Sequence, residues 1–470
     1  MNWTRKRTAS LILSLMLGLT IFNGCGAPAA TEPATSSAAE TTTTANAVAT
    51  ESSQATESAA VEPAKDVTLQ VWLAHPYKAN YQELLSADPN DKYGILTKKV
   101  VDAYESANPG VKVSLADNGW DEALKQKLLI SVMGGTGPDV TMGEAYIPEF
   151  ARIGAFLPID MAGIKEQLFP GSISAAYYDG QYYGVSAYTG VFALQYNKKV
   201  MKEAGLDPEV YPKTWDELLQ MSKQITEAGK GSYAGMAIGA VPDGIGSAFR
   251  YAVFMRQMGG AFINDDLTEI TLNSEANIKA MEYWRELAKQ TLPRQLGMTD
   301  WGQILSLTHK NQAAFQIDGP WQIDWTKGDE NNDCAYAPIP VSADGKRANL
   351  IVGNAIFSAL QSSKNPDEAV EFVKMMADKE LQLEAYRADA RIPSNKEAAQ
   401  SPEIIQTRPE MAVFIDELLN SDCAPLPAFS QNASKIWDVC NVMWAEVTTG
   451  DKPIQDILNE AQAKAMEFMK

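Results

Sequence analysis

Cysteine and histidine are scarce in this chain, and their spacing does not suggest a metal site. Beyond Cys25 near the amino terminus, the residues of these two types are Cys334, Cys423, Cys440, His75 and His309. Because there is no CxxC pair, neither a structural zinc ion nor any other cofactor is predicted. The three later cysteines are compatible with one disulfide, Cys423 with Cys440, or with buried free thiols.

Basic clusters are also absent. The chain has 40 Lys and Arg against 59 Asp and Glu, which gives a formal net charge of −19 at pH 7. Nucleic-acid binding needs a cationic surface that displaces counterions, so nucleic acid is not an expected partner. The GxSxG, P-loop lysine and HExxH motifs are missing too, which argues against esterase, NTPase and metalloprotease functions.

No apolar run in the sequence has the length of a membrane span. The longest run, at 11–22, follows Arg5, Lys6 and Arg7. Its twelve residues at about 1.5 Å each fall short of a hydrocarbon core of about 30 Å. Residues 1–24 are therefore predicted to be an export signal peptide.

The end of this run predicts a lipid anchor. Gly24 and Cys25 resemble a bacterial lipobox, in which the cysteine becomes the acylated first residue, and the implied location is extracytoplasmic, anchored to the cell membrane through Cys25. Ordinary secretion with an incidental cysteine is the alternative. Residues 25–65 consist almost entirely of Ala, Thr, Ser, Glu and Pro, which predicts a disordered tether that holds a globular body off the membrane.

The remaining residues, about 400, are enough for two substantial domains. Their first part alternates patterns of period two with helical patterns: strands from Val67, from Val111 and at 138–142, and helices at 95–107 and 121–133. This order predicts a mainly parallel sheet with helices on both faces. Further along, a strand is predicted at 192–196, and a capping box of Thr214 and Glu217 opens a helix. Later helices are predicted at 274–290, from Asn365 and at 453–469.

Twelve short segments, in order, resemble the extracellular solute-binding proteins typified by the maltodextrin-binding protein. They are Val67–Trp72, Asn108–Val113, Gly135–Val140, Ile153–Ile159, Tyr183–Val185, Leu194–Lys198, Ala204–Leu206, Pro212–Leu218, Gln312–Phe315, Gly319–Trp321, Ala337–Pro340 and Arg391–Ser394. A single one of these motifs is unspecific. Their common order across nearly all of the globular part makes a chance resemblance improbable.

The resemblance implies an α/β, two-lobed periplasmic-binding-protein fold (type II, Venus-flytrap) with three crossovers between the lobes. We expect an N-terminal lobe of 66–190 plus 340–390 and a C-terminal lobe of 191–339 plus 391–470. The crossovers are predicted near 187–191, 338–340 and 389–392. The family also implies a monomer that binds a small-molecule sugar or oligosaccharide between its lobes, has no enzymatic activity and delivers its ligand to ABC permease subunits.

A sugar presents hydroxyl groups at its rim and C–H groups on its faces, so its cleft needs planar polar side chains and flat aromatic rings. Such sites lie beyond the carboxyl ends of strands in open α/β sheets. Ligand-binding candidates after strand patterns or at family positions are His75, Tyr77, Glu144, Tyr146, Tyr188, Asp243, Trp321, Asn354, Arg391 and Trp437. Trp321 and Trp437 match stacking positions of the family, with core packing as the alternative for each.

Two other functions stay open at the level of sequence. A secreted glycosidase would need two carboxylates about 5 to 9.5 Å apart, and no recognisable motif pairs the acids of this chain. The same fold with another ligand, a polyamine, a peptide or an anion, is the second alternative. For an anion, Arg391 is the single arginine candidate.

Overall fold

The computed structural model describes residues 66–144, 146–241, 244–264, 266–298, 300–326, 333–342, 345–427, 429 and 432–469. The predicted signal peptide, Cys25 and the tether lie outside these ranges, and so does Asp243. Within them, no helix combines the length and apolar character that a membrane span requires. Cys334, Cys423 and Cys440 are free thiols.

The strands are short, and the helices between them cover the sheets. The strands are β1 (Val67–Leu73), β2 (Val111–Asp117), β3 (Val140–Gly143), β4 (Tyr177–Tyr178), β5 (Gln181–Tyr182), β6 (Val185–Thr189), β7 (Ala193–Asn197), β8 (Ala234–Met236), β9 (Ala313–Asp318), β10 (Cys334–Ala337), β11 (Ala348–Leu350), β12 (Ala355–Ala359), β13 (Ile392–Pro393) and β14 (Asp422–Ala424). The helices are α1 (Tyr81–Ala87), α2 (Lys92–Ala107), α3 (Asp121–Gly134), α4 (Ile147–Arg152), α5 (Pro170–Ser174), α6 (Lys198–Glu203), α7 (Trp215–Gly229), α8 (Gly244–Gln257), α9 (Glu275–Ala288), α10 (Pro293–Leu296), α11 (Trp301–His309), α12 (Gln322–Thr326), α13 (Pro366–Met375), α14 (Lys379–Asp389), α15 (Lys396–Ala399), α16 (Pro402–Thr407), α17 (Met411–Asn420), α18 (Ala433–Thr449) and α19 (Ile454–Phe468).

Local sequence patterns account for many of these elements. The alternating residues from Val67 form β1, and the apolar stripe at 121–133 forms α3, which ends at Gly135 in the left-handed conformation. At α7 the predicted capping box is present: the Glu217 amide donates to Thr214 Oγ1 at 3.2 Å, and the Thr214 amide donates to Glu217 Oε2 at 3.2 Å. These two hydrogen bonds satisfy backbone amides at the start of the helix that have no partner within the helix.

The first lobe is built on a six-stranded sheet, counted over the described residues, with the order β13-β6-β12-β3-β1-β2. β1 pairs in parallel with β2 and β3, as the alternating pattern predicted. β12 runs antiparallel to both β3 and β6, and β13 runs antiparallel to β6. Parallel pairing therefore holds for β1, β2 and β3 of this lobe, and β6 runs in the same direction as these three although both of its neighbours are antiparallel to it.

The second lobe has a smaller sheet, with the order β10-β7-β9-β8 in the described part of the chain. The mainly parallel prediction concerned the first part of the chain alone; in this second sheet β7 is antiparallel to both β10 and β9, and β8 and β9 pair in parallel. The reason is the route of the chain. A strand that follows directly after a passage from the other lobe enters its sheet from the edge at which the parallel strands end, so β7 and β12 run in the opposite direction.

The chain passes between the two sheets three times within the described ranges. The first passage joins β6 to β7 and lies where it was predicted, near 187–191. The second was predicted at 338–340, but Val341 still bridges Thr214 of the second lobe. The third was predicted at 389–392, but Ile392 and Pro393 pair with β6 in the first sheet.

The contacts of Val341, Ile392 and Pro393 place two lobe boundaries at positions other than those predicted. The second passage occurs at 351–354, between β11 and β12, and the third runs over α16. We therefore propose that the first lobe comprises 66–190 and 354–399, and the second lobe 191–352 and 411–469. Each lobe has its own apolar core, and a further apolar cluster at the passages includes Val191, Ile351 and Tyr386.

Candidate functional site

A cavity of about 340 Å³ lies between the two lobes. The first lobe contributes His75, Trp120 and Glu144 to its lining. The passages and the segments beside them contribute Phe192, Val352, Gly353, Asp389 and Arg391, and the second lobe contributes Phe249, Arg250, Trp301, Trp321 and Trp325. A groove of about 390 Å³ between α18 and α19 is larger but is lined by helix side chains alone, without such a convergence of aromatic and polar groups from both lobes.

The ends of the strands place several of these side chains. His75 follows the carboxyl end of β1, Glu144 follows β3, and Trp321 follows β9. Strands that run in the same direction bring the residues beyond their ends to one edge of a sheet, which is where open α/β folds bind ligands. The cleft is therefore formed where the two sheets present these edges to each other.

Tryptophan dominates the cleft wall. Trp120, Trp301 and Trp321 are partly buried, whereas Trp325 is 55% exposed. The guanidinium of Arg250 lies 3.9 Å from the centre of the Trp301 ring. Because indole rings are flat and apolar on both faces, such a wall suits a ligand with flat C–H surfaces.

The polar side of the cleft centres on Asp389. Its Oδ2 atom accepts hydrogen bonds from His75 Nε2 at 2.9 Å and from Arg391 Nε at 2.7 Å. Burial by itself would raise the pKa of the Asp389 carboxyl, but the hydrogen bond from His75 and the nearby Arg391 charge bring that pKa below its ordinary value. The guanidinium of Arg391 also lies 5.3 Å from the Tyr188 ring centre and 5.7 Å from that of Trp321.

Glu144 and Asn354 join the first lobe to the second passage. The backbone N–H of Asn354 donates to Glu144 Oε1 at 3.0 Å. The Asn354 side chain is buried; its Nδ2 donates to the Ser172 carbonyl at 2.8 Å, and its Oδ1 accepts from Ser186 Oγ at 2.6 Å. Asn354 thus holds the passage in place and does not line the cleft, whereas Glu144 does.

The three candidate tyrosines lie behind the cleft wall. The Tyr188 hydroxyl donates to the His75 carbonyl at 2.9 Å, and Tyr77 stacks on Tyr188 with a centroid distance of 6.4 Å. Burial raises the pKa values of the Tyr77 and Tyr188 hydroxyls. Tyr146 is buried in a separate apolar cluster of the first lobe with Phe150. Tyr77 and Tyr188 thus support the segment that carries His75, and none of the three rings lines the cavity.

Trp437 is placed away from the cleft. It is buried in the core of the second lobe, with its ring centre 5.2 Å from that of Phe262 and 4.8 Å from that of Phe429. The neighbouring Trp444 is buried in the same core, where it stacks on Tyr251. The inner face of α18 packs on that core and carries both indoles, so core packing is the observed alternative for Trp437.

More than half of the sequence matches a known family. Residues 86–383 match the family described as bacterial extracellular solute-binding protein. The chain belongs to this family. The resemblance inferred from the ordered motifs is thereby confirmed.

Individual relatives of this solute-binding protein cover most of its length. A putative binding protein of Brucella abortus is 24% identical over 408 residues, which are 85% of this chain and 95% of the relative. A maltooligosaccharide ABC transporter solute-binding lipoprotein of Streptococcus pneumoniae is 26% identical, over 81% of this chain and 88% of the relative. The crystal structure of the cyclic alpha-maltosyl-1,6-maltose binding protein from Arthrobacter globiformis superposes with a TM-score of 0.70 at 20% identity, covering 86% of this chain and 99% of that protein. This likeness confirms the two-lobed fold.

Several cleft residues of the solute-binding protein were not predicted from its sequence. They are Trp120, Phe192, Phe249, Arg250, Trp301, Trp325, Val352, Gly353 and Asp389. Trp120 follows β2 and satisfies the rule that selected the other candidates, namely an aromatic residue directly after a strand. Arg250 and Phe249 lie within α8, and Trp301 begins α11, so no strand end marks them.

Proposed function

We propose that this protein captures a sugar or an oligosaccharide in the cleft between its lobes and delivers it to the permease of an ABC importer. The observation that carries the proposal is the joining of four tryptophans with the hydrogen-bonding groups of His75, Glu144, Asp389 and Arg391 in one cavity. The rings match the C–H faces of a sugar, and the polar groups match its hydroxyl rim. The relative from Streptococcus pneumoniae, whose name is that of a maltooligosaccharide ABC transporter solute-binding lipoprotein, supports the same ligand class.

We assign ligand contact to His75, Glu144, Trp321 and Arg391, together with Trp120, Trp301 and Trp325. Tyr77, Tyr188 and Asn354 support these residues from behind. The ligand would touch both lobes and so favour their closed arrangement, which the permease recognises. The free energy of that population shift cannot exceed the difference between the ligand's binding free energies for the closed and the open arrangement.

We also propose that the protein acts outside the cytoplasm as a monomer, tethered by a lipid on Cys25. The family of extracellular solute-binding proteins supports the location. The apolar run before Cys25 supports the anchor. Mass spectrometry of the membrane fraction, before and after Cys25→Ser, would test it, because a diacylglyceryl group adds mass to the cysteine peptide of the wild type alone.

Binding without hydrolysis fits the carboxylates of the cleft better than glycosidase activity does. A glycosidase needs one carboxyl group with a raised pKa as its general acid. The pKa of the Asp389 carboxyl is lowered, and Glu144 Oε1 accepts the Asn354 amide. Incubation with oligosaccharides should therefore leave them intact, and released sugars would contradict this assignment.

The direct test is a thermal-shift screen of the purified protein against oligosaccharides, polyamines and amino acids. A ligand that binds only the folded state raises the melting temperature with its concentration. We expect shifts with one or more oligosaccharides. Shifts with polyamines or amino acids alone would contradict the proposal.

Trp321→Ala supplies the residue-level test. We expect the affinity for the sugar found in the screen to fall about tenfold or more, because a stacking face is lost. Circular dichroism should show an unchanged fold, since the ring is only partly buried. Unchanged affinity in calorimetry would refute the assignment of Trp321.

A further inference from the structure

The charges that line the cleft are balanced among the described residues. Arg250 and Arg391 are cationic, and Glu144 and Asp389 are anionic. The two signs also lie close together. Arg391 is within electrostatic reach of both Asp389 and Glu144.

The pairing of Arg391 with Asp389 is built into the backbone. Asp389 is the last residue of α14, and Ala390 follows in the left-handed conformation, with φ of 50°. Alanine seldom adopts this conformation, because its Cβ atom crowds the neighbouring carbonyl. This turn brings the side chains at 389 and 391 together, and they remain only 8% and 14% exposed.

Asp389 also contacts His75, which follows β1 in the same lobe. The same Oδ2 atom that accepts from Arg391 accepts from His75, which lies 314 positions earlier in the chain. One buried carboxylate thus orients two ligand-facing groups. It also offsets the positive charge of the nearer arginine before any ligand arrives.

The second arginine has a carboxyl group nearby as well. Arg250 Nη2 lies 3.6 Å from Asp318 Oδ1, and the Asp318 side chain is buried. Burial raises the pKa of Asp318, and the Arg250 charge opposes that rise. The Arg250–Asp318 pair is longer than the Arg391–Asp389 pair, and the Asp318 carboxyl group is more deeply buried than that of Asp389. Asp389 is therefore the better residue for a test.

We propose that the cleft selects uncharged polyhydroxy ligands over carboxylated ones, and that Asp389 is the residue that determines this selectivity. The proposal rests on the proposed function and names the class of sugar. A ligand carboxylate beside Arg391 would meet the negative charges of Asp389 and Glu144, whereas a hydroxyl group can donate to a carboxylate and accept from a guanidinium. Selection against anions thus comes from repulsion, in addition to any attraction to neutral sugars.

The experiment compares neutral and acidic forms of the same sugars. Maltotriose, cellotriose and mannotriose, and each of them with its primary hydroxyl groups oxidised to carboxylates, are titrated into the full-length protein by calorimetry. For the wild type we expect the neutral form of the bound sugar to bind about tenfold tighter than its acidic form, or more. Asp389→Asn leaves Arg391 without its paired carboxylate. In this variant we expect the affinity for the neutral form divided by that for the acidic form to fall about tenfold, so that the neutral preference is lost or reversed.

Asp378→Asn is the matched control. Asp378 is exposed and caps the amino-terminal end of α14, the end opposite Asp389. Its substitution by asparagine changes the net charge by the same amount as Asp389→Asn, and asparagine can keep the capping role. We expect this variant to keep the wild-type ratio. A folded Asp389→Asn protein with that same ratio would overturn the role of Asp389.

The wild-type measurement stands even where Asp389→Asn does not fold. Tighter binding of the acidic form by the wild type would overturn the selectivity and leave the proposed function intact. Binding of no sugar in either form, with a polyamine or amino acid bound instead, would overturn both. Neutral preference in the wild type together with its loss in Asp389→Asn supports the inference.

Discussion

Two tryptophans of the second lobe have opposite environments. Trp325 is 55% exposed and lines the cleft, whereas Trp437 is 4% exposed in the lobe core. The first indole therefore contributes to ligand binding and the second to stability. Neither the residue type nor the surrounding composition distinguishes them.

Alanine at these two positions should separate the effects. We expect Trp325→Ala to weaken sugar binding about tenfold with a small change in the free energy of unfolding. Trp437→Ala should lower that free energy by about 3 to 5 kcal/mol, because a buried indole leaves a cavity. Denaturant unfolding and calorimetry on both variants check this pair of results, and the reverse pattern would contradict the assignment.

The second passage between the lobes is the element that supports Trp321. Gly353 lies in it with φ of +56°, and a Cβ atom there would lie 3.0 Å from Trp321 Cζ3 and 3.4 Å from Arg391 Nη1. The passage thus needs glycine for two reasons, its conformation and the close approach of two cleft side chains. A methyl group at this position would push on the binding residues directly.

Gly353→Ala should therefore weaken ligand binding as well as stability. Its matched control is Gly345→Ala, since Gly345 has φ of +74° and, among the described residues other than its chain neighbours, no atom lies within 4 Å of an added Cβ. Both variants should lose about 1 to 2 kcal/mol of stability from the left-handed conformation. Only Gly353→Ala should also lower the affinity, and equal affinities in calorimetry would show that Trp321 tolerates the displacement.

At the scale of the whole molecule, one buried lysine joins the lobes. Lys125 of α3, in the first lobe, donates to Ser434 Oγ of α18, in the second lobe, at 3.1 Å. Its ammonium group also lies 2.7 Å from Glu149 Oε2 in the first lobe, and its side chain is 9% exposed. A hinge opening that separates α3 from α18 breaks the hydrogen bond to Ser434 and leaves the ion pair intact.

Lys125→Met should thus shift the population toward open arrangements. We expect a larger radius of gyration in small-angle scattering and an affinity reduced about two- to tenfold, which corresponds to a net hydrogen bond of about 0.5 to 1.5 kcal/mol. Lys127→Met is the control, because Lys127 donates to Asn118 within the first lobe. Identical scattering curves and affinities for the two variants would refute the bridging role of Lys125.

The sequence alone determined the local elements and the family. Alternation and capping depend on neighbouring residues, so β1, β2, α3 and the start of α7 were predicted correctly. The rule about strand ends selected His75 and Glu144, since a strand and the residue after it are contiguous, and the resemblance to the family selected Trp321; all three line the cleft.

Only the tertiary structure decided which distant residues meet. Asp389 faces His75 because β1 and the end of α14 converge at the cleft, although 314 positions separate the two residues. The core position of Trp437 and the cleft positions of Trp301 and Arg250 likewise follow from how helices pack on the second sheet. A helical pattern shows that a face is apolar, but what that face contacts depends on segments elsewhere in the chain, and no local pattern contains that information.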